Sequence, residues 1–294
     1  MSITFKRATK KSAKLRGGLY GPSGCGKTWT SLCIAKGLGG KTALIDTEHG
    51  SASKYSDIFD FDVCEMKTFN PGELIEALQN IPGVYSTVII DSMSAFWQGE
   101  GGILQQVDNQ GRRSQSGSTF MAWGDASKTL TRINDLIMGA PYHVITTMRS
   151  KSEWVVEKND KGKASPRKIG LAPVWKDGWE YNLDFVMRLD HDNTGVVEKT
   201  RIPELASCVV QKPDEQLGKQ LREWLGKGIE EPTLLDQLTV LIKETTTTKK
   251  FLTLAVERGH INEGIKDIKM IPNEKVGFFV NKWDEIQPLL SENK

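Results

Sequence analysis

Gly21-Pro22-Ser23-Gly24-Cys25-Gly26-Lys27-Thr28 decides the fold of this chain, because it satisfies G-x-x-x-x-G-K-[ST], the pattern of a phosphate-binding loop. The apolar run 15–20 ahead of it predicts a strand, and residues 29–38 behind it predict a helix. Loop N–H groups and a helix N-terminus therefore converge on one point, which suits a nucleoside triphosphate. The glycines let the backbone close around oxygen atoms that any Cβ would push away. Lys27 is expected to reach the β- and γ-phosphates and Thr28 to offer a hydroxyl to Mg²⁺. With Pro22, Ser23, Cys25 and Trp29 they make up the expected ATP-binding stretch.

Outward from the loop, the runs 42–45, 61–66, 87–90 and 142–147 are short, apolar and rich in β-branched residues. They read as buried parallel strands. Helical patterns at 72–80 and 122–138 separate them, the second placing Leu130, Ile133, Leu136 and Ile137 on one face. This alternation predicts an α/β fold with a mostly parallel, doubly wound sheet. Residues 98–119 and 151–165 are polar enough to predict two long loops. Residues 183–189 and 195–199 read as an antiparallel pair around a turn at 190–194. After Gly226-Lys227-Gly228 and Pro232, helices are expected at 234–243, 249–257 and 276–290. The expected organisation is a basic arm over 1–14, an ATPase core over 15–228 and a small helical domain over 229–294.

The 294 residues are 38% hydrophobic and 26% charged, with a net charge of +2. That composition supports a packed core and gives no global argument for nucleic acid. No apolar run approaches the roughly 18 residues of a membrane span, so no membrane partner and a cytoplasmic location are expected. Cys25, Cys33, Cys64 and Cys208 form no C-x-x-C pair, and the four histidines are scattered, so neither a zinc site nor a disulfide framework is indicated. Lys6, Arg7, Lys10, Lys11, Lys14 and Arg16 make the amino terminus locally basic.

Acidic residues at the strand ends carry the next step. Asp91, closing the run 87–90, is expected to hold Mg²⁺ opposite Thr28. Glu48, just past the run 42–45, is the candidate base for an attacking water, with Asp46 as the alternative. Lys199 and Arg201 lie two apart on a predicted strand, so both cations can enter one site and stabilise phosphoryl oxygens. Their alternative is a pair of solvated edge cations. Arg112 and Arg113 in the first predicted loop, and Arg149, Lys151 and Trp154 at the second, are the candidate contacts to single-stranded DNA. Trp97, Trp123, Trp175 and Trp179 read as packing residues.

These residues carry a resemblance. Ala43-Leu44-Ile45-Asp46-Thr47-Glu48-His49 is similar to the strand end bearing the catalytic glutamate of RecA, and Val88-Ile89-Ile90-Asp91-Ser92 resembles its Walker B strand. Val144-Ile145-Thr146-Thr147-Met148-Arg149 resembles the strand leading into its second DNA-binding loop, with Thr147 where RecA has a glutamine. Lys199-Thr200-Arg201 resembles the K-x-R element that reaches a neighbouring subunit's nucleotide. Phe5-Lys6-Arg7-Ala8 resembles a subunit-docking F-x-x-A segment. Leu19-Tyr20-Gly21-Pro22-Ser23-Gly24 and Arg167-Lys168-Ile169-Gly170-Leu171 resemble the phage-encoded, minimal RecA-like ATPases that anneal single strands. The resemblance spans roughly residues 15–205. It implies a RecA-like P-loop ATPase using ATP and Mg²⁺, a homo-oligomer (filament or ring) on single-stranded DNA, strand annealing or recombination, and a single-strand DNA-binding protein as partner. A phage origin would place it in the host cytoplasm. A switch binding protein partners and a helicase-like motor are the rival readings.

Overall fold

The computed structural model describes residues 12–113, 118–158, 164–228 and 232–291. Strand β1 (Arg16–Gly21) leads through the glycine-rich loop into helix α1 (Lys27–Leu38). Then follow β2 (Lys41–Asp46), β3 (Asp62–Glu65), α2 (Pro71–Gln79) and β4 (Tyr85–Asp91). Asn70 starts α2 by accepting from Gly72 N at 2.9 Å, with Pro71 fixing the first turn. Helices α3 (Met93–Gln98), α4 (Ile103–Arg113) and α5 (Phe120–Met138) precede the hairpin β5 (His143–Lys158) and β6 (Ala164–Pro173). Next come β7 (Phe185–Leu189), β8 (Thr194–Thr200), β9 (Val209–Gln211) and α6 (Glu215–Gly226).

The strands form one sheet in the order β3-β2-β4-β5-β1-β7-β8-β9, with β6 paired only to β5. Strands β1 to β5 and β7 run parallel, whereas β8 runs antiparallel to β7 and β9 antiparallel to β8 at the edge. The expected α/β class, a mostly parallel sheet behind a phosphate loop with helices after it, is the one observed. One apolar layer packs α1 and α6 on the sheet, and a second packs α2, α3, α4 and α5 on its other face. Arg16 closes the bottom of that second layer. Its buried guanidinium donates to the carbonyls of Tyr142 (2.8 Å), Met138 (3.1 Å) and Ala140, satisfying the end of α5.

The sequence expectations need four corrections. Residues 98–119 are not one long loop, because α4 occupies their middle and buries Ile103, Val107 and Gly111 at i, i+4, i+8. Residues 151–165 are not a loop either: β5 continues past the sheet and pairs antiparallel with β6 from Ser150↔Pro173 to Lys158↔Ala164. The strand at 61–66 is parallel as expected but exposed along its length, since it is the sheet edge. The expected last helix is broken at Lys282 into α9 (Asn273–Asn281) and α10 (Trp283–Ser291), which follow α7 (Leu234–Thr245) and α8 (Thr248–Glu257).

These last four helices enclose their own apolar cluster, around Leu238, Phe251, Ile271, Val276 and Phe279. Thr233 and Asp236 start α7 with a reciprocal capping box. The unit is tied to the core beyond α2, where Asn273 Nδ2 donates to Ile81 O at 3.1 Å and Pro82 bridges to Pro272.

Helices α1 and α6 meet backbone to backbone. A Cβ on Gly37 would lie 2.2 Å from Glu215 O, and one on Gly218 would lie 2.3 Å from Ile34 O. Gly37→Ala and Gly218→Ala are each expected to lower stability by about 1–3 kcal/mol, because a carbonyl cannot rotate away as a side chain can. Gly226→Ala, with nothing within 4 Å of its added methyl, should not. Denaturant midpoints of the three variants check this.

Candidate functional site

The glycine-rich loop is held from three sides. Gly21 ends β1 against β7, where a Cβ would sit 2.4 Å from Leu189 O. Gly24 and Gly26 have φ of +78° and +86°, a region that side chains disfavour. Asn193, in the turn between β7 and β8, donates from Nδ2 to Cys25 O (2.9 Å) and to Thr30 Oγ1 (3.2 Å). Sequence reading passed over this brace. Its only local signal was the turn itself, which could not show that it lands on the loop.

Lys27 folds back on the loop, donating to Pro22 O at 2.8 Å and Gly21 O at 3.1 Å. The ammonium thus stands over the cradle, within reach of anything bound there. Cys25 is fully buried, and burial pushes its thiol up although Lys27 pulls it down, so it is not set up as a reactive thiolate. Trp29 turns from the loop to pack edge-on against Phe59 (5.1 Å) and Tyr55 (5.5 Å).

Beneath the loop, Asp91 joins three elements. Thr28 at the start of α1 donates to its Oδ2 at 2.5 Å, and Thr147 on β5 donates to its Oδ1. Burial pushes this carboxyl up; the two hydroxyls pull it down, while Glu48 and Asp46 add to the rise. A buried carboxylate beside a hydroxyl is a hard oxygen donor set, which fits Mg²⁺. Backbone bonds lock the neighbouring turn: Thr47 N donates to Asp91 O, and Ser92 N donates to Thr47 Oγ1, both at 2.8 Å.

Asp46 and Glu48 separate in role. Asp46 is buried and accepts from Glu48 N (2.5 Å) and Gly50 N (2.9 Å), so both its oxygens are committed to the turn that carries Glu48. Glu48 is left facing solvent, 3.5 Å from the Arg149 guanidinium. Arg149 itself is anchored by its backbone, N to Ser94 Oγ (2.9 Å) and O to Val174 N (2.7 Å).

The remaining candidates lie elsewhere. Lys199 donates to Glu180 O (2.7 Å) and Tyr181 O (2.8 Å), and Arg201 to Asp184 Oδ1 (2.8 Å). Lys199 pairs with Val186, three residues short of Leu189, so the two cations sit at the end of β7 away from their own loop. Arg112 and Arg113 are exposed at the end of α4. Lys151 leaves the root of the hairpin and pairs with Asp177 at 3.4 Å. The Trp154 side chain and the basic residues Lys6 to Lys11, with the Phe5–Ala8 segment, lie outside the described residues. Among the described residues no metal-binding group of three His, Cys, Asp or Glu occurs, and no helix is long and apolar enough to cross a membrane.

A family model described as an AAA domain matches residues 13–212, which span every loop and strand end of the site. No curated protein sequence matches. A solved RadB recombinase is similar in structure at a TM-score of 0.41 and 18% identity, over 67% of this chain and 85% of that one.

The buried Asp91 carboxyl, raised by desolvation, disfavours the folded protein as pH rises past its unfolded value. Asp91→Asn removes the charge, keeps an acceptor for one hydroxyl and offers an amide N–H from which the other can accept. It is expected to raise the melting temperature of the free protein at neutral pH by about 2 °C or more. The same change should remove any stabilisation that Mg²⁺ adds to nucleotide. Thermal melts with and without Mg²⁺·ATP read both effects.

Proposed function

Because the chain belongs to the AAA-domain family, we propose that it is an ATPase of RecA-like type that binds single-stranded DNA and promotes strand annealing or recombination. The observation that carries the ATPase part is the shared Asp91 carboxylate under the loop, with Glu48 held beside it by Asp46. Mg²⁺, when bound between Thr28 and Asp91, would neutralise charge on the phosphates. Lys27 exchanges its two loop carbonyls for phosphate oxygens. Glu48 orients and deprotonates the attacking water, while Asp46 fixes the turn and takes no proton.

Coupling to DNA runs through Arg149 in this proposal. It pairs with Glu48 and stands where the hairpin leaves the sheet, so a phosphate on the hairpin competes for the cation that restrains the base. Lys151, Arg112, Arg113 and Trp154 are the proposed further contacts, and the basic arm at 1–14 adds charge. Lys199 and Arg201 are proposed to serve the nucleotide of an adjoining copy, in a filament or ring. Division into a core over 15–228 and a helical domain over 229–294, action beside a single-strand DNA-binding protein, a phage origin and work in the host cytoplasm belong to the same proposal.

Lys27→Ala should abolish tight ATP binding, whereas Glu48→Gln should keep binding and lose hydrolysis by at least about a hundredfold. Equal turnover by the Gln variant would remove Glu48 from the role. Steady-state ATPase assays with and without single-stranded DNA decide the larger question. Stimulation lost with salt supports the DNA reading, and none under any salt favours a switch acting on protein partners. Directional unwinding favours a motor. Mixing Arg201→Ala with Lys27→Ala protein should restore activity that neither has alone if each site is built from two copies.

A further inference from the structure

We propose that the cavity between α5 and the segment 175–182 is a binding pocket for a single unstacked nucleobase. The inference rests on the DNA reading above and adds a site to it. The cavity measures about 260 Å³ and lies beside the root of the β5–β6 hairpin, lined on one side by Asn134 of α5 and on the other by Trp175 and Trp179.

Its lining is polar in an unusual way. Trp175 and Trp179 are only 2% and 6% exposed, yet neither indole N–H has a hydrogen-bond partner, and nor does Asn134 Oδ1. Among the described residues six buried side-chain atoms are in that condition, and three of the six belong to residues that line this one cavity. Buried donors and acceptors without partners are costly, so a cluster of them signals a ligand that supplies the missing bonds.

The chemistry of the three atoms narrows the ligand. Two N–H donors call for acceptors and the amide oxygen calls for a donor, within walls of flat aromatic carbon. A nucleobase edge offers ring nitrogens or carbonyls next to an N–H, on a flat ring. Free phosphate would leave the amide oxygen unmatched, a metal cation would meet the indole donors, and an aliphatic group would satisfy none. The Trp175 and Trp179 rings stand edge to face at 6.0 Å, and Trp97, 5.7 Å from Trp175, continues the aromatic wall towards Trp123. Asp177 lines the cavity and pairs with Lys151, so a backbone phosphate held at the hairpin root leaves its base next to the opening.

The test uses the full chain and fluorescence anisotropy. A labelled oligothymidine is expected to bind about tenfold tighter than an abasic oligonucleotide of equal length, the scale of one base seated on aromatic side chains. Trp179→Phe, which keeps a ring and removes a donor, and Asn134→Leu should each bring oligothymidine towards the abasic affinity. Abasic binding and its salt dependence should stay unchanged. Equal wild-type affinity for the two oligonucleotides, or no effect of either variant, overturns the pocket while leaving the DNA reading in place. If neither oligonucleotide binds, the DNA reading fails and the pocket is judged by free thymidine. Movement of the Trp175 and Trp179 indole N–H resonances on titration then supports a base site. Unmoved resonances, or movement with N-acetylglutaminamide alone, overturn it.

Discussion

The Asp91 carboxylate is the constraint on which the rest of the site depends. It is buried, and a buried carboxyl is tolerated only when it is well hydrogen-bonded. Its partners come from two other elements: Thr28 begins the helix that follows the loop, and Thr147 lies on the central strand β5. Three elements must therefore come into register for one carboxylate to be satisfied. The parallel pairing of β4 with β5, and of β5 with β1, brings them there.

Strand β5 consequently has three duties. Within the sheet it supplies Thr147 to Asp91; two residues on, it supplies Arg149 to Glu48; beyond the sheet it becomes the hairpin. Residues i and i+2 share a strand face, so both side chains reach the same edge of the site. Along the strand, the Arg149–Glu48 ion pair therefore lies between the hairpin and the Asp91–Thr147 hydrogen bond. Thr147 spends its hydroxyl on Asp91. Arg149 is the residue of this strand that touches both the hairpin root and Glu48.

Much of this was legible in the chain because local chemistry fixes it. The loop needs glycines at positive φ, buried parallel strands need short β-branched runs, and Asp91 and Glu48 follow such runs directly. Helix α4 was not legible, since Gly, Gln and Arg outnumber its three buried positions and mask their spacing of four. The hairpin was hidden for a related reason: once β5 leaves the sheet, its alternation no longer reflects a buried face. Asn193 and the close contact of α6 with α1 depend on residues far apart in sequence, Cys25 with Asn193 and Gly37 with Gly218, and no local pattern records such pairs. The hydrogen bonds of Asp46 are short-range but separate it from Glu48 only in three dimensions, which is why the two acids looked interchangeable.

The position of Lys199 and Arg201 sets a limit on how one molecule can work. Lys199 stands opposite Val186 and, across β7, level with Gly18, so it is about 10 Å along β1 from the loop and two strands to the side. Both cations are also tied to carbonyls or a carboxylate of the segment 180–184. Within one chain they cannot reach the loop over which Lys27 stands. In the proposed shared site one copy presents the loop and another the cations, a pairing that a two-fold dimer makes reciprocally and that a head-to-tail contact makes in one direction. Such a contact repeats: it closes into a ring when its rotation divides a full turn, and otherwise continues as a filament. In the proposed shared site it is this separation of loop and cations on one sheet that makes a second copy necessary to bring both to one phosphate.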